Sequence, residues 1–404
     1  AIAMSPTGTS HIVRTQCKTS TGTDCRLIYQ SFRAGSQMNG IAWWPPTDHT
    51  YRDPDIALFG DLAFIVFQDC MISTGFCMTR YGRPVVSDEI QLLEPGLSRD
   101  VPLVVSRDGL VYAVHEVPLS ATGTALRFCY IPLSTSSSPV CNWVSPHPEG
   151  DPNQRTDATA DVDSDGYLHV GYLLKETGKM TAFYANNTGN WLEDMTGALN
   201  YHLSRGTSAI SPDEFAKPAL AVQSDNFFVH LAVAKRIASG SDALTVYYSL
   251  PADPETGSSC PINLTADKQW QIIGDPSITT WTPPATNQSA EIAFAAITTE
   301  HLGQTDIYTA RCTPYDSPAA PTHLYITSLN NGDYDVDPII SVTGGWPVVG
   351  WHIYNSSVGY WDDVYVYSFS GQIIHHADWT GGHSLDMDGN GDYVAGIWNE
   401  TQAD

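Results

Sequence analysis

One pattern recurs from end to end of the chain: an alternating strand, a turn rich in Gly, Asp, Ser and Asn, a second strand, a loop, and a Tyr-rich third strand. Such a repeat constrains a fold more than composition does. A unit too small to bury both its faces must stack on copies of itself. The first two strands with their turn read IAMSPTGTSHIVR from Ile2, DIALFGDLAFIVF from Asp55, PLVVSRDGLVYAV from Pro102 and ATADVDSDGYLHVGY from Ala158. They continue as ALAVQSDNFFVHLAV from Ala219, ITTWTPPATNQSAEIAFAAI from Ile278, PIISVTGGWPVVGW from Pro338 and LDMDGNGDYVAGIW from Leu385. Third strands read RLIYQS, FCMTRY, LRFCYI, TAFYAN, LTVYYS, DIYTAR and VYVYSF. A fourth strand follows, marked by Trp43, Trp143, Trp191, Trp270 and Trp379.

Short strands with β-branched or aromatic residues at period two are half-buried sheet strands. Four-stranded antiparallel sheets stacked around an axis bury every face, so the expectation is an all-β fold, a β-propeller forming one domain over residues 1–404. Eight blades with the last incomplete is the first count, and seven blades with an extra hairpin the second. Nothing upstream of Ile2 remains to complete blade eight, so the expectation is a fragment of a longer secreted or surface protein.

Charge and cysteines narrow the setting. Lys and Arg number 19 against 44 Asp and Glu, a net charge of −25, which repels nucleic acid and anionic membranes. No stretch is apolar enough to cross a membrane, leaving only an unseen anchor for membrane attachment. Cys17 and Cys25, Cys70 and Cys77, and Cys129 and Cys141 each bracket a short connection, while Cys260 and Cys312 remain as the fourth pair. Local pairs on neighbouring strands suit disulfides and an oxidising compartment. Sequons at Asn186, Asn263, Asn287, Asn355 and Asn399 add candidate glycosylation sites. The expected location is extracellular or at the cell surface.

Three constellations carry candidate chemistry. Arg52, Arg99 and Arg155 sit at equivalent points just before strand one of blades two, three and four, where three guanidiniums could grip a carboxylate or sulfate. Loops after strand two bring Gln16, Asp69, His115, Glu116, Lys175, Glu176, Lys235, Arg236, Glu300, His301, Trp351, His352 and Glu400 to the same funnel. Mixed His, Glu and Lys there suit acid–base work, or a lyase base beside an Arg-neutralised uronate. Asp161, Asp163 and Asp165 before Gly166, and Asp386, Asp388, Asn390 and Asp392 around Gly391, alternate as calcium loops do, although Tyr172 and Ile397 stand where a bidentate Glu would close them. Ca²⁺ is the expected cofactor if any. Asp–Gly runs are also ordinary hairpin turns.

The run Ala160–Tyr172, with its D-x-D-G-x-x-H-V-x-Y core, resembles bacterial extracellular propeller repeat proteins, sialidase-like in the broad sense. The arginine trio likewise resembles the sialidase cluster. The S-x-D-x-G-x-x-W Asp boxes of true sialidases are absent, and so are nucleophile-elbow, P-loop and zinc-protease motifs. The leading expectation is a non-catalytic module that binds a glycan or extracellular protein. The alternative is a carbohydrate-active enzyme, a glycoside hydrolase or polysaccharide lyase, working in the funnel.

Overall fold

The computed structural model describes residues 1–18, 24–84, 87–98, 102–107, 109–133, 137–144, 150–176, 179–187, 201–202, 217–222, 229–235, 243–249, 258–263, 271–272, 274–281, 292–301, 304–312, 322–325, 333–343, 346–355, 360–368, 372–378, 385–389 and 394–398. Among these residues no helix is long and apolar enough to cross a membrane. The chain divides into two compact units, Ala1–Thr177 with Phe183–His202, and Gly178–Ala182 with Leu203–Asp404.

The first unit is built of four-stranded sheets in meander order. The first sheet holds β1 (Ile2–Met4), β2 (Thr9–Cys17), β3 (Cys25–Arg33) and β4 (Ser36–Trp43). The second holds β5 (His49–Phe59), β6 (Leu62–Met71), β7 (Cys77–Arg83) and β8 (Ser87–Leu92). The third holds β9 (Leu103–Arg107), β10 (Leu110–Pro118), β11 (Thr124–Tyr130) and β12 (Val140–Trp143). The fourth holds β13 (Gln154–Val162), β14 (Leu168–Glu176), β15 (Lys179–Asn186) and β16 (Tyr201–His202). The third-strand motifs RLIYQS and TAFYAN lie in β3 and β15, and FCMTRY and LRFCYI each exceed β7 and β11 by one residue.

Period two explains the stacking. In β6, Ala63, Ile65 and Phe67 pack against Val13, Leu27, Tyr29 and Trp43 of the first sheet. The alternate residues Phe64 and Val66 pack against Val104, Val111 and Ala113 of the third. Tyr112, Val114 and Phe128 then meet Val162, Val170 and Tyr172 of the fourth. A side chain such as Phe67, fully buried, contributes about 1.5–3 kcal/mol by leaving water. Trp43 lies so close to Gly82 that a Cβ there would sit 3.2 Å from the indole, so any larger residue would require the indole to shift by a few tenths of an ångström.

Polar bonds join the first strands of successive sheets. Val104 N donates to Asp55 Oδ2 at 2.8 Å, Ser106 Oγ donates to the Leu58 carbonyl, and Arg107 Nη1 donates to the Val162 carbonyl at 3.0 Å. The sheets therefore meet along their first strands, as radial stacking requires.

Strand one also carries a bulge. Register shifts between Arg52 and Asp55, and between Thr156 and Thr159, with Asp53 at φ 48° and Asp157 at φ 54°. Aspartate tolerates this left-handed backbone better than most residues. The bulges correct the sequence expectation for the arginines. Arg52 and Arg155 lie inside β5 and β13 rather than before them. Measured from the bulge, Arg155 takes the register of Tyr51, one residue from that of Arg52.

In the second unit the pattern repeats. Ala219–Val222, Val229–Lys235, Ala243–Ser249 and Ser258–Asn263 form a four-stranded antiparallel sheet. Ser277–Trp281, Ile292–His301, Gln304–Cys312 and Thr322–Tyr325 pair in order, as do Asp333–Thr343, Trp346–Asn355, Tyr360–Ser368 and Gln372–Asp378. One parallel bridge, Thr305 to Tyr334, joins these two sets. Leu385–Gly389 pairs with Val394–Trp398 as a final hairpin.

Candidate functional site

Between the second and third sheets lies a cleft of about 320 Å³, lined among others by Thr79, Glu94, Leu97, His115, Arg127 and Trp143. Sequence adjacency explains little of it. Thr79 comes from β7, Glu94 and Leu97 follow β8, His115 lies within β10, and Arg127 and Trp143 face each other across β11 and β12.

Arg127 organises the cleft. Its guanidinium lies 4.5 Å from the centre of the Trp143 ring, Nη2 donates to the Cys141 carbonyl at 2.9 Å, and Nη1 meets Glu94 Oε1 at 2.5 Å. Glu94 Oε2 is 3.4 Å from His115 Nε2, and His115 Nδ1 is 3.2 Å from Thr79 Oγ1. Two polar atoms remain over: Glu94 Oε2 and Arg127 Nε are buried and have no hydrogen-bond partner among the described residues. The two groups pair with each other through Oε1 and Nη1, but each keeps one buried atom without a hydrogen bond, which a polar ligand would supply.

A metal reading of this cluster fails on its own chemistry. Ligand atoms of Glu94, His115 and Cys129 lie within 4.8 Å of one another, but Cys129 is bonded to Cys141 and offers no thiolate.

A related set stands in the second sheet. Fully buried Asp69 meets His49 Nδ1 at 2.7 Å and Arg80 Nε at 2.5 Å. Burial, chiefly, and the Asp69 charge push the neighbouring Tyr51 hydroxyl above its ordinary range.

The sequence candidates are placed as follows. Arg155 is 7% exposed and bound to Asp151 at 2.9 Å, whereas Arg52 is exposed, and no contact joins the two among the described residues. Arg99 lies outside the described residues. Lys175 pairs with Asp157 at 2.7 Å, and Glu116 is buried beside its cross-strand neighbour Leu126. Trp351 and His352 are buried in Trp346–Asn355. Lys235 and His301 end strands whose side chains there are not described, and Arg236 lies outside the described residues.

The D-x-D-x-D-G run is a densely bonded turn. Asp163 Oδ1 accepts from the amides of Asp165 and Tyr167 at 2.9 and 2.8 Å, and Oδ2 lies 3.0 Å from His169 Nε2. His169 Nδ1 reaches Tyr184 Oη at 2.5 Å, which also accepts from Asn186 Nδ2 at 3.1 Å. Burial pushes Asp163 up, but these hydrogen bonds outweigh it and hold the carboxyl below its ordinary range. Asp161 turns to its own strand, its carboxylate accepting from the Val162 amide. Asp386 and Asp388 are half-buried in the final hairpin, and Asn390 and Asp392 lie outside the described residues.

Three disulfides, Cys17–Cys25, Cys70–Cys77 and Cys129–Cys141, join directly opposed residues with Cα atoms 3.9, 3.9 and 4.0 Å apart. Cys260 and Cys312 lie in strands whose side chains at those positions are not described. Of the sequons, Asn186 has its amide buried against Tyr184. Asn263 and Asn355 end strands with undescribed side chains, and Asn287 and Asn399 fall outside the described residues.

The sequence reading missed Glu94, Arg127 and Thr79 as site residues. An arginine on a third strand two residues before a disulfide was a weak signal, and only the pairing of β11 with β12 sets it over Trp143.

No protein-family profile matches the chain, and no curated protein does. Solved structures do share its fold. The polysaccharide lyase Uly1 is 10% identical, with 88% of this chain covering 86% of that one at a TM-score of 0.50. A puromycin-hydrolysing peptidase of Mycobacterium tuberculosis is 12% identical, with 87% of this chain covering 50% of that one, also at 0.50. A Trypanosoma rangeli sialidase in complex with sialic acid superposes at a TM-score of 0.41, with 11% identity over 88% of this chain and 58% of that one, too loosely to carry an argument. The chain is thus an all-β protein of four-stranded antiparallel sheets of the propeller kind, and identity this low speaks to fold alone.

Proposed function

We propose that the chain is an extracellular carbohydrate-active propeller, a polysaccharide lyase, that takes its glycan in the Glu94–His115–Arg127–Trp143 cleft. The observation that carries this is the Glu94–Arg127 ion pair beside an aromatic ring, with one buried atom of each, Oε2 and Nε, left without a hydrogen bond. The shared fold with a polysaccharide lyase over most of both chains supports it. The three disulfides support an oxidising location. In this reading the seven four-stranded sheets are blades, and the final hairpin is an incomplete eighth.

The chemistry suits a uronate. Its carboxylate takes the place of Glu94 on Arg127, which neutralises it and makes the adjacent C5 proton acidic. Released Glu94, beside His115, accepts that proton. The electrons form the C4–C5 double bond, and the glycosidic oxygen leaves C4 and takes a proton from water. Trp143, under the guanidinium, fixes the plane of the carboxylate contact.

A second reading, a non-catalytic glycan-binding module, is favoured by the burial of His115, whose two ring nitrogens already face Thr79 and Glu94. One assay divides the two. Polygalacturonate, alginate and xylan are incubated with the protein while reducing ends and ultraviolet absorbance of unsaturated products are followed together. The lyase reading expects both signals to rise on a uronate polymer and to vanish in Glu94→Gln. Reducing ends without absorbance indicate hydrolysis, and binding without either signal indicates the module.

A further inference from the structure

Outside the cleft, the first sheet carries a second aromatic platform backed by cations. Trp44, directly after β4, is 54% exposed. The Arg26 guanidinium lies 4.0 Å from its ring centre and Lys18 Nζ lies 5.2 Å away. The arrangement echoes Arg127 on Trp143: a third-strand arginine over a tryptophan at the fourth strand, next to a disulfide-clamped connection.

The two cations at this platform differ in their partners. Lys18 is cancelled by Asp24 at 2.7 Å. Arg26 instead directs Nε and Nη2 to one neutral acceptor, Gln16 Oε1, at 2.9 and 2.5 Å. No carboxylate lies within ion-pair distance of Arg26 among the described residues. Other described arginines, Arg14, Arg33 and Arg52 among them, also make no ion pair, but Arg26 is the one set against an exposed tryptophan, and that pairing suits an anionic ligand with a flat face. The platform is anchored to the sheet. The Cys17–Cys25 bridge ties the end of β2 to the start of β3 beside Lys18 and Arg26, Tyr51 Oη donates to the Trp44 carbonyl, and Pro45 and Pro46 follow the ring. A surface held in its bound form loses little freedom when a ligand arrives.

We propose that Trp44 and Arg26 form a surface subsite for an anionic glycan, the ring stacking on a sugar face and the guanidinium taking a carboxylate or sulfate. The proposal rests on the reading of this chain as glycan-acting, and it gives that reading a substrate class, acidic polysaccharide. Long-range repulsion from the net charge does not forbid it. At physiological salt the screening length is about 8 Å, so the local cation governs contact.

Native gel electrophoresis through entrapped polysaccharide tests it, with polygalacturonate for carboxylate, dextran sulfate for sulfate ester, dextran as the neutral control, and single-stranded DNA as another anionic polymer. The wild type is expected to be retarded by one or both acidic glycans and not by dextran. Trp44→Ala and Arg26→Gln should each weaken retardation about tenfold, the worth of one charge-assisted contact. Both positions are solvent-facing, and an unchanged melting temperature certifies the variants. Glu94→Gln should abolish turnover and leave retardation intact, which separates this subsite from the cleft. Retardation unchanged in Trp44→Ala, or seen only with DNA, overturns the subsite. Retardation of the wild type without turnover of any uronate polymer overturns the lyase reading alone.

Discussion

Replacing Asp163 by Asn distinguishes a turn clamp from a metal loop. The wild-type carboxylate accepts three hydrogen bonds, two from amides and one from His169, in a fully buried setting. Bonds to a charged acceptor contribute about 1.5–3 kcal/mol each, and neutral ones about 1 kcal/mol. The carboxamide of Asp163→Asn could keep both amide bonds at the weaker value. Its own N–H₂ would face His169 Nε2, forcing the imidazole to exchange its protonated nitrogen and Tyr184 to reverse its hydroxyl. The expected loss is about 3 kcal/mol, on the order of a 1 M fall in the urea midpoint at pH 7. The pH dependence has a fixed sign. Because the folded carboxyl is held below its ordinary 3.8, its extra stability is complete above that value and is lost as pH falls through the lower folded one. The gap between wild type and variant should therefore close in acid. Equal midpoints at pH 7 would refute the clamp. So would a drop on adding EDTA to the wild type as large as the substitution causes, since the carboxylate would then be holding a cation.

Other perturbations have directions set by the structure. Gly166 has φ +83° and a Cβ there would meet Leu110 Cδ1 at 2.1 Å, so Gly166→Ala should destabilise by about 1–3 kcal/mol in the same urea assay. Burial, against a smaller opposing pull from Asp61, holds His11 below its ordinary 6.5. Stability should then fall as pH drops below that value, and His11→Gln should flatten that slope of the urea midpoint against pH. Removing the Cys129–Cys141 bridge, which closes a separation of 12 residues, should cost about 2–4 kcal/mol by denaturation and, by loosening β11 against β12, lower turnover in the cleft. A thiol-labelling assay on the native protein should find none of the six bridged cysteines reactive.

Much of the scaffold was legible because its signals are local. A short run of apolar and β-branched residues such as LAFIVF, bounded by turn residues, reports a strand without knowledge of any neighbour, and a short loop between cysteines leaves an opposed pair as the natural bridge. The strand-one arginines were not legible. Asp53 and Asp157 each open a bulge, and one added residue turns the following side chains to the other face. Arg52 and Arg155 look equivalent in the sequence repeat, yet one is exposed and the other is buried against Asp151. The Asp163 run reads as an ordinary hairpin turn or as a calcium loop, and no local signal in it shows that the Asp163 carboxylate meets His169, which in turn meets Tyr184.

By itself, the amino-acid sequence determined the strand order, the four-strand repeat, the turns and three local disulfides, because each depends on residues within a few positions of one another. Tertiary structure decided which side chains meet. Thr79, Glu94, His115 and Arg127 come from two sheets and four stretches of chain, and Trp44 becomes a cation-backed platform only because the Cys25 end of β3 lies beside the end of β4. Register and inter-sheet packing set those distances, and a one-residue shift in either would send each of these side chains to a different face.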